Sequence, residues 1–226
     1  MEQELYAPNI YYNNGYDAHY APIAHQLSPY PEEDRYHYEE EKKEEKKVRW
    51  ATCDLEDPAG QSGVSGLVTF TQVKGEKMEL TATVSGLSPG SHGFHVHAFG
   101  DISGGCKSTG GHFNPTGTDH GAHDDPHDER HVGDLKSLVA DRDGNVQVTQ
   151  TDSLAGLWGD DSIIGRGLVL HGGQDDLGRG GNAGSLANGN AGPRVACCVI
   201  GIAAEPKEEP TERRGLAPRR GRGRGW

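Results

Sequence analysis

The sequence predicts an all-β domain, an antiparallel Greek-key barrel or sandwich. Three observations carry this: 34 glycines in 226 residues, an aromatic content of only 7%, and clean two-residue alternation of apolar and polar side chains. Abundant glycine and little helical periodicity favour short strands joined by many turns. Met78, Leu80, Ala82 and Val84 fall on one face of a strand, with Glu79, Thr81 and Thr83 on the other. Val64 to Thr71 reads as a further strand, as does the alternating run Gly167 to His171. Val195 to Ala203, nearly continuous in apolar residues, also reads as a strand.

Tails of different composition flank this region. Residues 1–47 hold all eight tyrosines and almost no aliphatic runs. So little apolar bulk cannot offset the entropy of ordering, so a disordered extension is expected. The run Glu39 to Lys47 carries Glu/Lys pairs such as Glu39 with Lys43 and reads as a solvated spacer. Residues 205–226 form a second tail, also expected to be disordered, in which Arg213 to Trp226 contains six arginines and no acids. Such an Arg/Gly segment is expected to give weak, salt-dependent binding of a polyanion, RNA or heparin-like. No apolar stretch suits a signal peptide or a membrane span, which makes a cytoplasmic protein without membrane contact the expectation. The net charge of −12 divides into −6 for residues 1–47, −9 for residues 48–204 and +3 for the rest.

Chemistry concentrates between His95 and His171. In a strand, His95 and His97 project from one side while Phe94 and Val96 project from the other. His171 ends a separate strand. His112 and His120 lie in a Gly-rich, Pro-containing loop, and His131 and Asp134 are three residues apart, close enough to converge from a turn. Six imidazoles and a carboxylate can satisfy two adjacent transition metals, and imidazole suits copper and zinc alike.

Val48 to Ala204 closely resembles the eukaryotic copper/zinc superoxide dismutases. The likeness rests on Gly93-Phe-His-Val-His-Ala-Phe-Gly-Asp101 and on Gly189-Asn-Ala-Gly-Pro-Arg-Val-Ala-Cys-Cys-Val-Ile-Gly201. Ile163 to His171 and Asp175 to Asn182 are similar as well. The resemblance implies an eight-stranded barrel with long metal-binding and electrostatic loops. It implies copper at His95, His97, His112 and His171, and zinc at His112, His120, His131 and Asp134, with His112 bridging. Asp175 would link His95 to His120, and Arg194 would position an anionic substrate beside the copper. Cys106 and Cys197 would form a disulfide. The implied activity is disproportionation of superoxide to oxygen and hydrogen peroxide, with Arg194 and His112 as catalytic residues. A homodimer through apolar edges near Phe99 to Ile102, Ile164-Gly165 and Val199 to Ile202 is also implied; Trp158 falls near that region without an evident role.

The chain departs from its relatives in places. Gly172-Gly-Gln174 and Ala183 to Asn188 are almost uncharged, so steering of an anion is expected to be weak and to rest on Arg194 and Arg179. The segment from His120 to His131 is about two residues longer than the common form and adds His123 and His127 as spare histidines. Cys53 reads as a buried thiol, and Cys198, beside Cys197, as a misbridging hazard. Two other functions stand as alternatives. A dismutase-like copper chaperone would add Cys-x-x-Cys and Cys-x-Cys motifs, which this chain lacks. A polyanion-binding module would need neither Arg194 nor Asp175.

Overall fold

The computed structural model describes residues 46–207. The expectations for residues 1–45 and 208–226, including most of the charged spacer and the arginine-rich segment, lie outside the described residues.

Eleven strand segments occur in chain order: β1 (Val48–Leu55), β2 (Ser65–Val73), β3 (Met78–Ser85), β4 (Gly90–His92), β5 (Phe94–His97), β6 (Ser103–Cys106), β7 (Leu138–Ala140), β8 (Val146–Asp152), β9 (Gly167–His171), β10 (Arg194–Val199) and β11 (Gly201–Ala203). Antiparallel ladders join them in the orders β11-β1-β2-β3-β8, β10-β9-β5 and β4-β7. The expected number was eight. The excess has a local cause, because single residues interrupt two strands. Gly93 separates β4 from β5 and bonds instead to Gly173 and His171. Ile200 separates β10 from β11 and exchanges bonds with Gly165 and Arg166. With each pair taken as one interrupted strand, eight remain in the ladders, and β6 stands outside them.

The spatial order is then β8-β3-β2-β1, then β11 with β10, then β9, then β5 with β4, and finally β7. The connections from β3 to β4 and from β8 to β9 cross to non-adjacent positions, which is the Greek-key arrangement. Among the described residues, β7 and β8 are joined by a turn at residues 141–145 but share no ladder.

Alternation sets the core. In β3 the positions Met78, Leu80, Ala82 and Val84 are buried, as the sequence predicts. They pack with Phe70, Leu168, Leu170 and Ile200, all essentially without solvent exposure. Each buried side chain of this size contributes roughly 1.5–3 kcal/mol. Trp158 acquires a role here. Arg49 lies 3.7 Å over its ring, and its indole N–H donates to the Gln72 carbonyl.

Both disulfides involve β10. Successive residues of a strand point to opposite faces, so Cys197 reaches outward to Cys106 while Cys198 reaches inward to Cys53 on β1. The Cα atoms are 5.6 and 5.5 Å apart, respectively. The reading of Cys53 as a free thiol is therefore corrected, and Cys198 has a partner of its own. Two long connections leave the strands: residues 98–137, carrying β6, and residues 172–193, carrying the one-turn-and-a-half helix α1 (Ala183–Asn188). Among the described residues, no helix is long and apolar enough to cross a membrane.

Candidate metal centre

Strand pairing places the first histidines. His95 and His97 on β5 lie in register with Val169 and Gly167 of β9, while His171 ends β9 opposite Arg194 of β10. The loop histidine His112 reaches β5 through a bridge with His97, and Asp134 through one with His95. All six imidazoles and Asp134 are at least nine-tenths buried.

Hydrogen bonds fix which ring nitrogen of each histidine is free. His97 donates from Nδ1 to the Gly110 carbonyl at 2.9 Å, and His171 from Nδ1 to the Gly192 carbonyl at 3.2 Å. His95 donates from Nε2 to Asp175 Oδ2 at 2.7 Å, and His120 from Nε2 to Asp175 Oδ1 at 2.8 Å. His131 donates from Nε2 to the Thr118 carbonyl at 3.1 Å. Each of these rings is anchored through one nitrogen and aims the other inward, and such outer hydrogen bonds set tautomer and orientation in metal sites. His112 differs. Neither of its nitrogens has an outer anchor: Nδ1 faces Asp134 Oδ1 at 2.8 Å and His131 Nδ1 at 3.3 Å, and Nε2 is buried without a partner.

The free nitrogens form two sets. Nδ1 of His95 and Nε2 of His97, His112 and His171 are all buried without a hydrogen-bond partner. One donor atom from each of these four residues lies within 4.8 Å of the rest. Imidazole binds transition metals at about 2.0–2.1 Å, which keeps donors within about 4.2 Å of one another. Movement of less than about 1 Å closes the set on an ion. Unpartnered buried nitrogens are otherwise costly, so these residues fit a metal. The second set centres on Asp134 Oδ1, which lies 2.8, 2.9 and 3.1 Å from Nδ1 of His112, His120 and His131. His95, His112, His120 and Asp134 also gather within 4.8 Å. His95 has only one free nitrogen, however, and that nitrogen belongs to the first set, so His131 completes the second.

Electrostatics agree with this division. Burial holds His95, His97 and His171 neutral, with pKa values pushed down to about 3, 2 and 4, and it lowers His112 as well. Neutral imidazole is the form that binds metal. His120 is the exception: burial lowers it, yet bonds to Asp134 and Asp175 outweigh that and raise it to about 9. The two carboxylates make a place for positive charge there. Asp134 and Asp175 remain ionised, because their histidine partners overcome the cost of burial.

The first set opens to solvent through a cleft of about 320 Å³, lined by His97, His112, His171, Asn188 and Arg194. The guanidinium of Arg194 donates to the carbonyls of Cys106 at 2.7 Å and Gly110 at 2.6 Å and to Thr109 Oγ1 at 3.0 Å. Among the described residues it has no carboxylate partner. The Cys106–Cys197 bridge holds this carbonyl cage to the strand that carries Arg194. Arg179, expected as a second steering cation, is instead paired with Asp125 at 3.0 Å.

The structure brings every expected ligand together and excludes the spare histidines. His127 is exposed, and His123 turns toward Asp152 and Asp124. Several contributors lay outside the sequence reading. His92 is buried and joins the carbonyls of His171 and Ser88. Arg130, 1% exposed, donates to the Asp134 carbonyl at 2.8 Å and to Asp152. Helix α1 accepts the His120 amide at the Leu186 carbonyl, 2.7 Å away. Its signal was present as Asn182 before the helix and Gly189 after it, the preferred residues at the two ends. Gly189 has φ 66°, and a Cβ there would collide with the Asp175 carboxylate and the His120 ring.

Two comparisons bear on this site. The family model for copper/zinc superoxide dismutase (SODC) matches residues 64–200. The crystal structure of the clock protein EA4 is similar, with a TM-score of 0.64 and 44% identity, covering 69% of this chain and 95% of that one. A match over more than half of the sequence, on a fold that assembles these donors, places the chain in the copper/zinc superoxide dismutase family.

Proposed function

We propose that this protein is a copper- and zinc-dependent superoxide dismutase. The observation that carries the reading is the set of four buried, unpartnered imidazole nitrogens, three of them on residues that line a cleft also presenting Arg194. Copper would be held by Nδ1 of His95 and Nε2 of His97, His112 and His171. Zinc would be held by Nδ1 of His112, His120 and His131 and by an Asp134 oxygen. When bound, copper supplies one-electron reduction and oxidation, which converts two superoxide ions into oxygen and hydrogen peroxide, while zinc has no redox chemistry.

The protein's own groups do the rest. Arg194 attracts the anion and orients it with a fixed fork of donors that stays charged at all working pH values. Its anchoring to four loop acceptors, the Lys107 carbonyl included, keeps that fork in place without further ordering. His112 can carry a proton on Nε2 while Nδ1 stays engaged on the zinc side, so it can give one of the two protons that peroxide formation consumes. Asp175 keeps His95 and His120 in their ligating tautomers. The exposed apolar residues Phe99, Ile102, Val199 and Ile202 support a homodimer along that edge. The domain would span residues 48–204. A cytoplasmic setting and weak polyanion binding by the arginine-rich tail remain parts of this proposal that column retention of a tail-deleted protein and localisation of a tagged chain would decide.

The decisive experiment is superoxide disproportionation by the purified chain, with copper and zinc measured on the same sample. Fast turnover that scales with copper content is expected. Full loading of both metals without turnover would overturn the reading.

A further inference from the structure

We propose that His123 is a positioning residue, a clasp that holds the loop between two zinc ligands against the end of β8. This rests on the reading that His120, His131 and Asp134 hold zinc. The loop needs such a tie because ten residues separate His120 from His131, and length between two fixed ends adds conformational freedom.

The geometry puts one carboxylate at both ends of that loop. Asp152 is 1% exposed and is itself fixed by the amides of Leu154 and Ala155 at 2.6 and 2.8 Å. Three residues beyond His120, His123 points Nε2 at Asp152 Oδ2 (3.2 Å) and at the Thr151 carbonyl (3.0 Å). Its Nδ1 donates to Asp124 Oδ1 at 3.0 Å. Immediately before His131, Arg130 sends Nη2 to both oxygens of Asp152, at 3.3 and 3.2 Å, and Nη1 to the Asp134 carbonyl. Loss of the His123 contact frees the early part of the loop and leaves Arg130 as the remaining tie to Asp152.

The groups that face the imidazole are Asp124 from its own loop, Asp152 with Arg130 behind it, and Lys136 across a groove of about 540 Å³. Glu79 of β3 lies in register with Thr151 beside them. The bond to Asp152 raises the His123 pKa more than burial lowers it, and Asp124 adds to the rise. In the protonated ring both nitrogens donate, Nε2 toward Asp152 and Nδ1 to Asp124. As pH climbs through the raised value one N–H is lost, so the clasp is strong in mild acid and fades in alkali.

The test uses the full chain loaded with copper and zinc, as wild type, His123→Ala and His123→Gln. Zinc release into a chromogenic chelator is followed from pH 6 to 9, and amide exchange is measured across residues 121–130. The variants should release zinc about fivefold faster than wild type near pH 6.5, the net effect of one lost hydrogen bond of ordinary strength. That ratio should be smaller at pH 9 than near pH 6.5, and the amides of the loop should lose protection. Equal release at every pH, or a ratio that does not change with pH, overturns the clasp. A wild type that takes up no zinc would defeat the zinc reading separately. Amide exchange would then decide the clasp, and unchanged protection in the variants would reject it.

Discussion

Removing the inner disulfide through Cys53→Ala with Cys198→Ala is expected to destabilise the metal-free protein by about 4 kcal/mol. Cys53 and Cys198 are 145 residues apart, and a loop of that length in an otherwise open chain has a closure entropy equivalent to about 5 kcal/mol. The outer bridge already shortens the path. From Cys53 the chain runs to Cys106, crosses to Cys197 and needs one more residue, about 54 in all, which lowers the increment to about 4 kcal/mol. Both sulfurs are buried, at 1% and 4% exposure, so the cavity they leave adds to the loss. Guanidinium unfolding of metal-free wild type and variant, unreduced, is the assay, because bound metal would mask the difference through linkage. With a slope of about 4 kcal/mol per molar, the midpoint should fall by about 1 M. A loss below about 1 kcal/mol would refute the reasoning. So would two free thiols in denatured, unreduced wild type.

Other consequences can be measured on the same protein. Asp175→Ala removes the anchor of His95 and His120 together and should weaken metal affinity by 10- to 100-fold, read by competition with a chelator; unchanged affinity would remove Asp175 from that role. Arg194→Ala should reduce kcat/KM for superoxide by about tenfold, equivalent to about 1.4 kcal/mol of lost transition-state stabilisation, and Arg194→Lys should recover only part because it lacks the planar fork. With Arg179 paired to Asp125 and the flanking loop nearly uncharged, turnover should fall only mildly between 10 and 200 mM salt; a steep decline, measured by pulse radiolysis, would reveal steering from elsewhere. Wild type is expected to sediment as a dimer at micromolar concentration, and Ile202→Glu as a monomer; equal masses would remove that edge from the interface.

The strands that place the ligands were legible because period-two alternation is a local property: Met78 to Val84 and His95 with His97 needed only their immediate neighbours. The pairing of Cys106 with Cys197 and the division of ligands between two metals came from resemblance, since spacing alone leaves several groupings open. Cys53 was misread for a physical reason. Its partner is set by the neighbourhood of β1 and β10 and by the face on which each sulfur emerges, and neither is written in one stretch of sequence. Arg179 failed as a steering cation because a loop 54 residues earlier supplies Asp125 to it. Helix α1 escaped notice because six residues are too few to show helical periodicity, although its end residues were in view. His92 and Arg130 act through backbone carbonyls of the ligands, contacts that no residue pattern advertises.

The pairing of both bridges with adjacent residues of β10 also governs when the chain can mature. During synthesis Cys53 emerges 145 residues before its partner, and Cys106 emerges 91 residues before its own. At about 5–20 residues per second these intervals are roughly 5–30 s. From the emergence of Cys106 until that of Cys197, the only bridge open to the growing chain is Cys53 with Cys106, a wrong one. Oxidation in that window therefore traps an error, whereas oxidation after β10 has docked can seal both correct bonds at once. The last long strand thus acts as a checkpoint, and the chain gains from being made under reducing conditions and oxidised only when complete.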